Sequence, residues 1–144
     1  MIKLLEITEN NFNQCFDLQY DTRYVGLPEH NLAMAYIYRD IVVVYGIYNE
    51  DTIIGVISII RNEKYNKYSF TDFAIADTYK NKGFGIETIR CVIDMLKKEG
   101  KYNVIGIRVQ NSNARAIHIY EKFGFTQVGT DGPLIIMQLS LSIV

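Results

Sequence analysis

The stretch that most constrains this chain is YKNKGFGIETI, residues 79–89. Before it, YSFTDFAIAD reads as a strand. After it, from Gly85, apolar residues fall at Ile86, Ile89, Val92, Ile93 and Leu96, the i, i+3, i+4, i+7 spacing of a helix. A strand, a glycine loop and a helix N-terminus in direct succession make an anion site. The first amide N–H groups of the helix have no intrahelical acceptor, and they point outward with the positive end of the helix dipole. Gly83 and Gly85 let the backbone come close to a bulky diphosphate without Cβ clashes, and Lys80 and Lys82 add positive charge. The loop is not a Walker A, because no Gly-Lys-Ser/Thr follows. It is not a dinucleotide fingerprint, because one glycine is missing and a strand meander precedes it. Alone, Gly-Phe-Gly is better explained as a helix start whose glycines ease the turn.

The rest of the chain supplies the context. IKLLEIT reads as a first strand, with Thr8 capping a helix over 9–20 and Asn11 standing where a capping box wants Glu or Gln. A second helix is expected over 29–40, with Leu32, Met34, Ala35 and Tyr36 partly buried. IVVVYGIYN, TIIGVISIIRN and YSFTDFAIAD are dense in β-branched and aromatic residues and are joined by short turns, as in an antiparallel meander. The loop helix follows, with Lys97 and Lys98 in its last turn and Gly100 beyond it. NVIGIRVQ is a strand, NARAIHIYEKF a helix closed by Gly124, and FTQVGT and LIIMQLSLSI are strands around the turn DGP. The expected order is β-αα-βββ-α-β-α-ββ. This is an α/β domain with a mixed, mostly antiparallel sheet of about seven strands, covering residues 1–144 as a single unit.

A second constellation changes the weight of the first. NSNARAIHIYEKFGF places Asn113, Ala116 and Tyr120 on one helix and ends in Gly124-Phe125. Asn113 and Tyr120 lie two turns apart, so both can face one groove. An ordinary core tyrosine would satisfy the same spacing. Together the two patterns resemble the GNAT superfamily of N-acetyltransferases, sharpest over residues 70–125. The family's phosphate loop, Gln/Arg-x-x-Gly-x-Gly/Ala, reads here Lys80-Asn81-Lys82-Gly83-Phe84-Gly85, with Lys80 departing from Gln or Arg. The family's later pattern, Asn-x-x-Ala-x-x-x-Tyr-x-x-x-Gly-Phe, is met at Asn113, Ala116, Tyr120, Gly124 and Phe125.

The resemblance implies a V-shaped splay between the fourth and fifth strands, with helices on both faces of the sheet. It implies acetyl-CoA as co-substrate, its arm lying along Phe73, Ala74 and Ile75 by strand addition. The diphosphate would sit on the amides of Lys80, Asn81, Lys82, Gly83, Phe84 and Gly85. Asn113 and Ala116 would meet the arm, and Tyr120 would donate a proton to the departing thiolate. A neutral amine attacks the thioester directly, so no nucleophilic Ser or Cys is required. For the base, Ser69 and Thr71 share a face and neither is convincing. Asp72 points the other way unless a bulge rotates it. Deprotonation through ordered water is therefore expected.

The segment YDTRYVGLPEHNLAMAYIYRDI is expected to shape the acceptor pocket. It holds Asp21, Glu29 and Asp40 among Tyr20, Tyr24, Tyr36 and Tyr38, with Tyr45 just beyond, and acids with aromatic faces suit a cation. The segment is loosely similar to bacterial spermine/spermidine acetyltransferases, which implies a small-molecule di- or polyamine as acceptor. Packed tyrosines and solvated acids explain it equally well. A peptide N-acetyltransferase and a non-catalytic CoA-binding sensor remain alternatives.

Charge is uneven along the chain, an arrangement that would suit a cation on one half and an anion on the other, although chance scatter of surface charge explains it better on this fact alone. Residues 1–62 hold eight acids and four bases, −4; residues 63–144 hold eight acids and eleven bases, +3; the sum is the net −1. Near-zero net charge argues against bulk nucleic-acid binding. No apolar run reaches the roughly 18 residues of a membrane span. MIKLLEITEN lacks the basic and long apolar segments of a signal peptide, so a cytoplasmic location is expected. Cys15 and Cys91 form no Cys-x-x-Cys pair and only His30 and His118 accompany them, so no metal site is expected. The apolar final strand would be an aggregation hazard as a free edge. It must pair within the sheet or across a homodimer.

Overall fold

The computed structural model describes residues 1–142. In order it contains β1 (Ile2–Glu6), α1 (Phe12–Phe16), α2 (Pro28–Ile37), β2 (Val42–Asn49), β3 (Thr52–Asn62), β4 (Lys67–Ile75), α3 (Phe84–Glu99), β5 (Val104–Gln110), α4 (Ala114–Lys122), β6 (Thr126–Asp131) and β7 (Leu134–Ser140). A short 3₁₀ turn, Asp77–Tyr79, leads out of β4. The strands form one sheet in the order β1-β2-β3-β4-β5-β7-β6. Every neighbour pair is antiparallel except β4 and β5. The mixed sheet expected from the element order is therefore present. β7 lies between β5 and β6, so the apolar last strand is paired within the chain. Its expected end, Ile143, lies outside the described residues.

Alternation along β3 sends apolar side chains to both faces. Ile57 and Ile59 join the main core with Ile89, Val92 and Leu96 of α3. Val56 points the other way and packs with Cys15 of α1 and Ala74 of β4. α3 exists because its apolar residues recur at helical spacing and both its ends are handled. Gly83 starts it in the left-handed region, at φ 85°. Gly100, also left-handed, ends it by donating its N–H to the Leu96 carbonyl at 3.0 Å. The buried Ile89, Val92 and Leu96 side chains are each worth roughly 1.5–3 kcal/mol of apolar burial.

β4 carries the architecture that matters most. At its start it pairs with β5 through one parallel register, Tyr68 opposite Ile105, and no further pairing follows. The two strands then diverge, which gives the V. β4 also contains a bulge: Val56 faces Ala74 while Ser58 faces Thr71, so one extra residue is inserted on β4. Asp72 takes up the irregularity at φ 51°. Opposite the bulge, a Cβ added to Gly55 would lie 2.2 Å from the Ala74 carbonyl oxygen. Glycine there permits the close approach of the two strands.

The closed end of β4 is fastened by a polar network. Arg61 of β3 donates from Nε and Nη2 to the Glu99 carboxylate at 2.9–3.0 Å and from Nη2 to the Tyr45 hydroxyl at 3.2 Å. Tyr68 donates to Glu99 at 2.7 Å and accepts the Lys101 N–H at 2.9 Å. The Arg61 hydrogen bonds, more than any other contact, hold the Glu99 carboxyl below its ordinary value.

Two helices differ from expectation. α1 spans five residues rather than 9–20. Asn11 Oδ1 accepts the Thr8 N–H at 2.7 Å, and Thr8 Oγ1 accepts the Asn10 N–H at 3.2 Å, so these residues close a turn before the helix instead of capping it. In α2, Met34 and Tyr36 are exposed rather than partly buried, while Asn31 is buried. The polar residues of that helix, Glu29, His30 and Asn31, fill its first turn instead of one side, so spacing alone did not single out its inward face. No helix among the described residues is long and apolar enough to cross a membrane.

Candidate functional site

The diverging arms of β4 and β5 open into a cavity of about 650 Å³. Phe73, Ala74 and Ile75 line it from β4, beyond the last residue that pairs with β5. The start of α3 lines it next, through Gly83, Phe84, Gly85 and Ile86. The first amide of this helix to find a backbone acceptor is that of Glu87, which bonds Gly83 at 3.1 Å, and no side chain caps the helix. The N–H groups of residues 84–86 are therefore uncommitted among the described residues. A Cβ on Gly83 would meet nothing within 4 Å, so this face of the loop is open to a ligand.

The cations expected at the loop are distributed differently from the sequence reading. Lys80 lines the cavity, but its ammonium is paired with Asp77 Oδ1 at 2.9 Å. Lys82 lies outside the lining, its ammonium 6.0 Å from the centre of the Tyr79 ring. Arg115, not singled out from the sequence, lines the cavity and donates from Nη2 to Asn81 Oδ1 at 3.1 Å. The signal for it was its place two residues after the Asn113 cap, at a helix start that faces the loop. Asn81 is itself left-handed, at φ 63°, which turns its side chain toward that arginine.

α4 supplies the far wall. Asn113 caps it, accepting the Ala116 N–H at 3.3 Å, and both residues line the cavity. Tyr120, two turns on, also lines it. Its ring is buried between Phe70 and Phe125, each 5.7 Å away centre to centre. Burial pushes its phenol up to about 12, because the phenolate would sit in apolar surroundings. The hydroxyl thus stays protonated at neutral pH, and it makes no hydrogen bond among the described residues. It can donate to a group that gains negative charge in the cavity.

The remaining wall is the loop between α1 and α2, through Tyr20, Asp21, Tyr24 and Val25, together with Thr71 and Asp72 of β4. Asp72, at the bulge, lines the cavity along with its neighbours from Phe70 to Ile75. Its Oδ1 accepts the Gly26 N–H at 2.8 Å, while the Gly26 carbonyl accepts from the Tyr20 hydroxyl at 2.8 Å. Burial first, then the nearby Asp72 and Glu29 carboxylates, push the Tyr20 phenol up to about 12. Tyr24 and Ser112 share a hydrogen bond of 3.1 Å, tying this loop to the start of α4 across the V.

The other expected acceptor residues do not gather here. Asp40, Tyr36 and Tyr38 are exposed on or beyond α2 and lie outside the lining. Tyr45 is buried in β2 against Arg61. Glu29 is exposed at the α2 N-terminus and reaches the site only through its field on Tyr20. The charge asymmetry of the two halves does not carry over simply into the cavity: Asp21 comes from the acidic half, but Asp72 lines it together with Lys80, Arg108 and Arg115 from the basic half.

The residues present fit an acyl-CoA: a strand edge for the amide-bearing arm, free helix amides and a guanidinium for phosphates, and a protonated phenol. Comparison with known proteins agrees. The model of the Acetyltransferase (GNAT) family matches residues 7–125. The chain is 27% identical over 140 residues to a probable N-acetyltransferase san of Drosophila melanogaster, covering 90% of this chain and 70% of that protein. It is 36% identical over 52 residues to N-alpha-acetyltransferase 50 of Danio rerio, covering 36% of this chain and 31% of that protein. The matched stretch thus spans about a third of that relative. Among solved structures, the ribosomal-protein-S18-alanine N-acetyltransferase of Escherichia coli superposes with TM-score 0.78 at 17% identity, covering 100% of this chain and 96% of that one. The spermidine N-acetyltransferase of Vibrio cholerae, in complex with CoA and spermine, gives 0.73 at 18%, covering 97% and 95%. At these identities the structures share the fold. The family match extends over most of the chain, and this protein belongs to the acetyltransferase (GNAT) family.

Proposed function

We propose that this protein is an N-acetyltransferase that moves the acetyl group of acetyl-CoA to a small cationic primary amine by direct attack. The observation that carries the reading is the continuity of one cavity. Its walls join an unpaired strand edge, the uncapped start of α3, the protonated Tyr120 and the carboxylate of Asp72.

Acetyl-CoA supplies the acetyl group as an activated thioester. The unpaired edge of β4 at Phe73 and Ile75 holds the arm by backbone hydrogen bonds, as an added strand would. The amides of residues 84–86 and Arg115 hold the phosphates, with Lys80 partly neutralised by Asp77. A backbone N–H on the splayed strand stabilises the carbonyl oxygen as it gains charge. The amine nitrogen forms its bond to carbon as the carbon–sulfur bond breaks. The proton lost by nitrogen passes to solvent, and Tyr120 provides the hydrogen bond or proton that sulfur needs. A phenol near 12 is a weaker acid than a free thiol of about 8.5, so Tyr120 assists as charge grows on sulfur rather than by full transfer beforehand. Such assistance is worth roughly 10²–10⁴-fold.

The hydrogen bond between Tyr24 and Ser112 joins the loop before α2 to the start of α4, a crossing that favours a slim amine over a peptide laid across the V. The spermidine acetyltransferase among the structural neighbours is in keeping with that preference. The test is CoA release measured by thiol detection across alkylamines, diamines, polyamines, amino acids and short peptides. Saturable release with small cationic amines is expected. A rise in melting temperature with acetyl-CoA but no release with any amine would instead make the protein a CoA-binding sensor.

A further inference from the structure

Asp72 stands apart in this cavity. It is a carboxylate on a strand, in the left-handed region that strand residues avoid, and set there by an inserted residue. It lines the cavity one residue before Phe73, where the acetyl arm would lie. Oδ1 accepts the Gly26 N–H, and Gly26 is pinned on its other side by Tyr20. A Cβ on Gly26 would lie 2.7 Å from His30 Cδ2 and 3.0 Å from Asn31 Oδ1, so the loop is seated tightly behind that hydrogen bond. One oxygen of Asp72 is therefore committed to a rigid contact. Among the described residues no Lys, Arg or His pairs with the carboxylate, and Oδ2 has no hydrogen-bond partner.

A carboxylate that lines a cavity with one oxygen unpartnered among the described residues is placed to meet a cation brought by a ligand. The reacting nitrogen cannot be that cation during transfer, because it attacks only as the neutral amine. A nitrogen that stays protonated throughout is required. We infer that Asp72 is the specificity-determining anchor of the acceptor, binding a second, non-reacting ammonium and so selecting diamines and polyamines over monoamines. This rests on the proposed amine acetylation and deepens it. The Gly26 clamp gives the anchor a fixed position at no cost of ordering on binding.

The substitution that isolates the charge is Asp72→Asn. Its side-chain oxygen can still accept from Gly26, so the loop keeps its clamp. The probes are 1,4-diaminobutane and butylamine, which share chain length and differ by one ammonium. The wild type is expected to prefer the diamine by at least tenfold in kcat/KM. Asp72→Asn is expected to raise the diamine KM at least tenfold, with kcat within about threefold, bringing the preference ratio toward one. Acetyl-CoA must still raise the melting temperature of the variant, which separates this result from damage to the donor site. Asp72→Ala, which also removes the clamp, should lower the melting temperature as well. The inference is overturned if the wild type shows no preference for the diamine. It is equally overturned if Asp72→Asn lowers kcat for both amines alike, since Asp72 would then act on the reacting nitrogen. If neither amine is acetylated while acetyl-CoA still binds, the amine reading fails and the anchor with it. If acetyl-CoA does not bind either, the donor reading has failed first.

Discussion

The two ends of β4 follow opposite rules. At Tyr68 the strand is paired with β3 and β5 and buried, and the Tyr68 hydroxyl is joined to Glu99 and Lys101, with the buried Tyr102 hydroxyl beside it the one polar atom there without a partner among the described residues. A few residues later, past the Asp72 bulge, the same strand has lost β5 and faces a cavity. There polar groups are left uncommitted among the described residues: the amides of residues 84–86, the Tyr120 hydroxyl and Asp72 Oδ2. A fold can leave such groups free only where something else holds the backbone in place. Here the closed end is the base from which the open end diverges, and stability and function are divided along one strand.

That division can be broken or sharpened. The largest effect is expected where the two ends meet. Gly55→Ala sets a Cβ against the Ala74 carbonyl at 2.2 Å, which only a parting of β3 from β4 can relieve. About 3 kcal/mol is expected from such overpacking. That corresponds to a melting temperature lower by roughly 6–12 °C, read by calorimetry. The stabilisation by acetyl-CoA should fall with it, because the bulged arm moves. A variant that melts like the wild type would show the bulge to be adaptable.

Tyr120→Phe should separate the two ends more cleanly. It keeps the ring between Phe70 and Phe125 and removes only the hydroxyl. A kcat lower by about 10²-fold is expected, with acetyl-CoA affinity and melting temperature little changed. Unchanged turnover would remove Tyr120 from the chemistry.

The mirror experiment is Glu99→Gln at the closed end. It strands the half-buried Arg61 and should cost about 1–3 kcal/mol of stability while acetyl-CoA affinity holds. The pH dependence has a definite sign. Glu99 is held below its ordinary value of 4.5, so its contribution is present above that value and is lost as pH falls through the lower folded one. Acid titration of the melting temperature should show that loss in the wild type and not in the variant. The smallest effect is expected from Arg115→Ala, where an exposed cation is worth about 1 kcal/mol or less. Titration calorimetry should find acetyl-CoA affinity reduced by roughly fivefold or less.

Much of this division was legible in the residues. The change from strand to helix period at Gly85 located α3, and the Asn113–Phe125 spacing located α4 and its groove-facing Tyr120. The V followed from the resemblance, not from periodicity. What stayed hidden depends on contacts between distant elements. Nothing in TIIGVISIIRN marks Gly55 as the point where a neighbouring carbonyl comes close. Strict alternation holds only for a regular strand, and nothing in YSFTDFAIAD marks the inserted residue that places Asp72 in the left-handed region. The acids and tyrosines of 20–45 suited a cation-binding pocket and a packed, solvated segment equally well, and the fold turns Tyr36 of α2 and Tyr38 just beyond it to solvent. Only the part of that segment fastened to Asp72 and Ser112 reaches the cavity.

The central claim is that the open arm of β4, and not its closed end, belongs to the ligand. Peptide-resolved hydrogen exchange with and without acetyl-CoA tests it directly. The account predicts added protection in peptides covering residues 73–75 and 84–86, with no change around Tyr68 and Arg61. Protection spread evenly along the strand, or absent from residues 73–75, would contradict it.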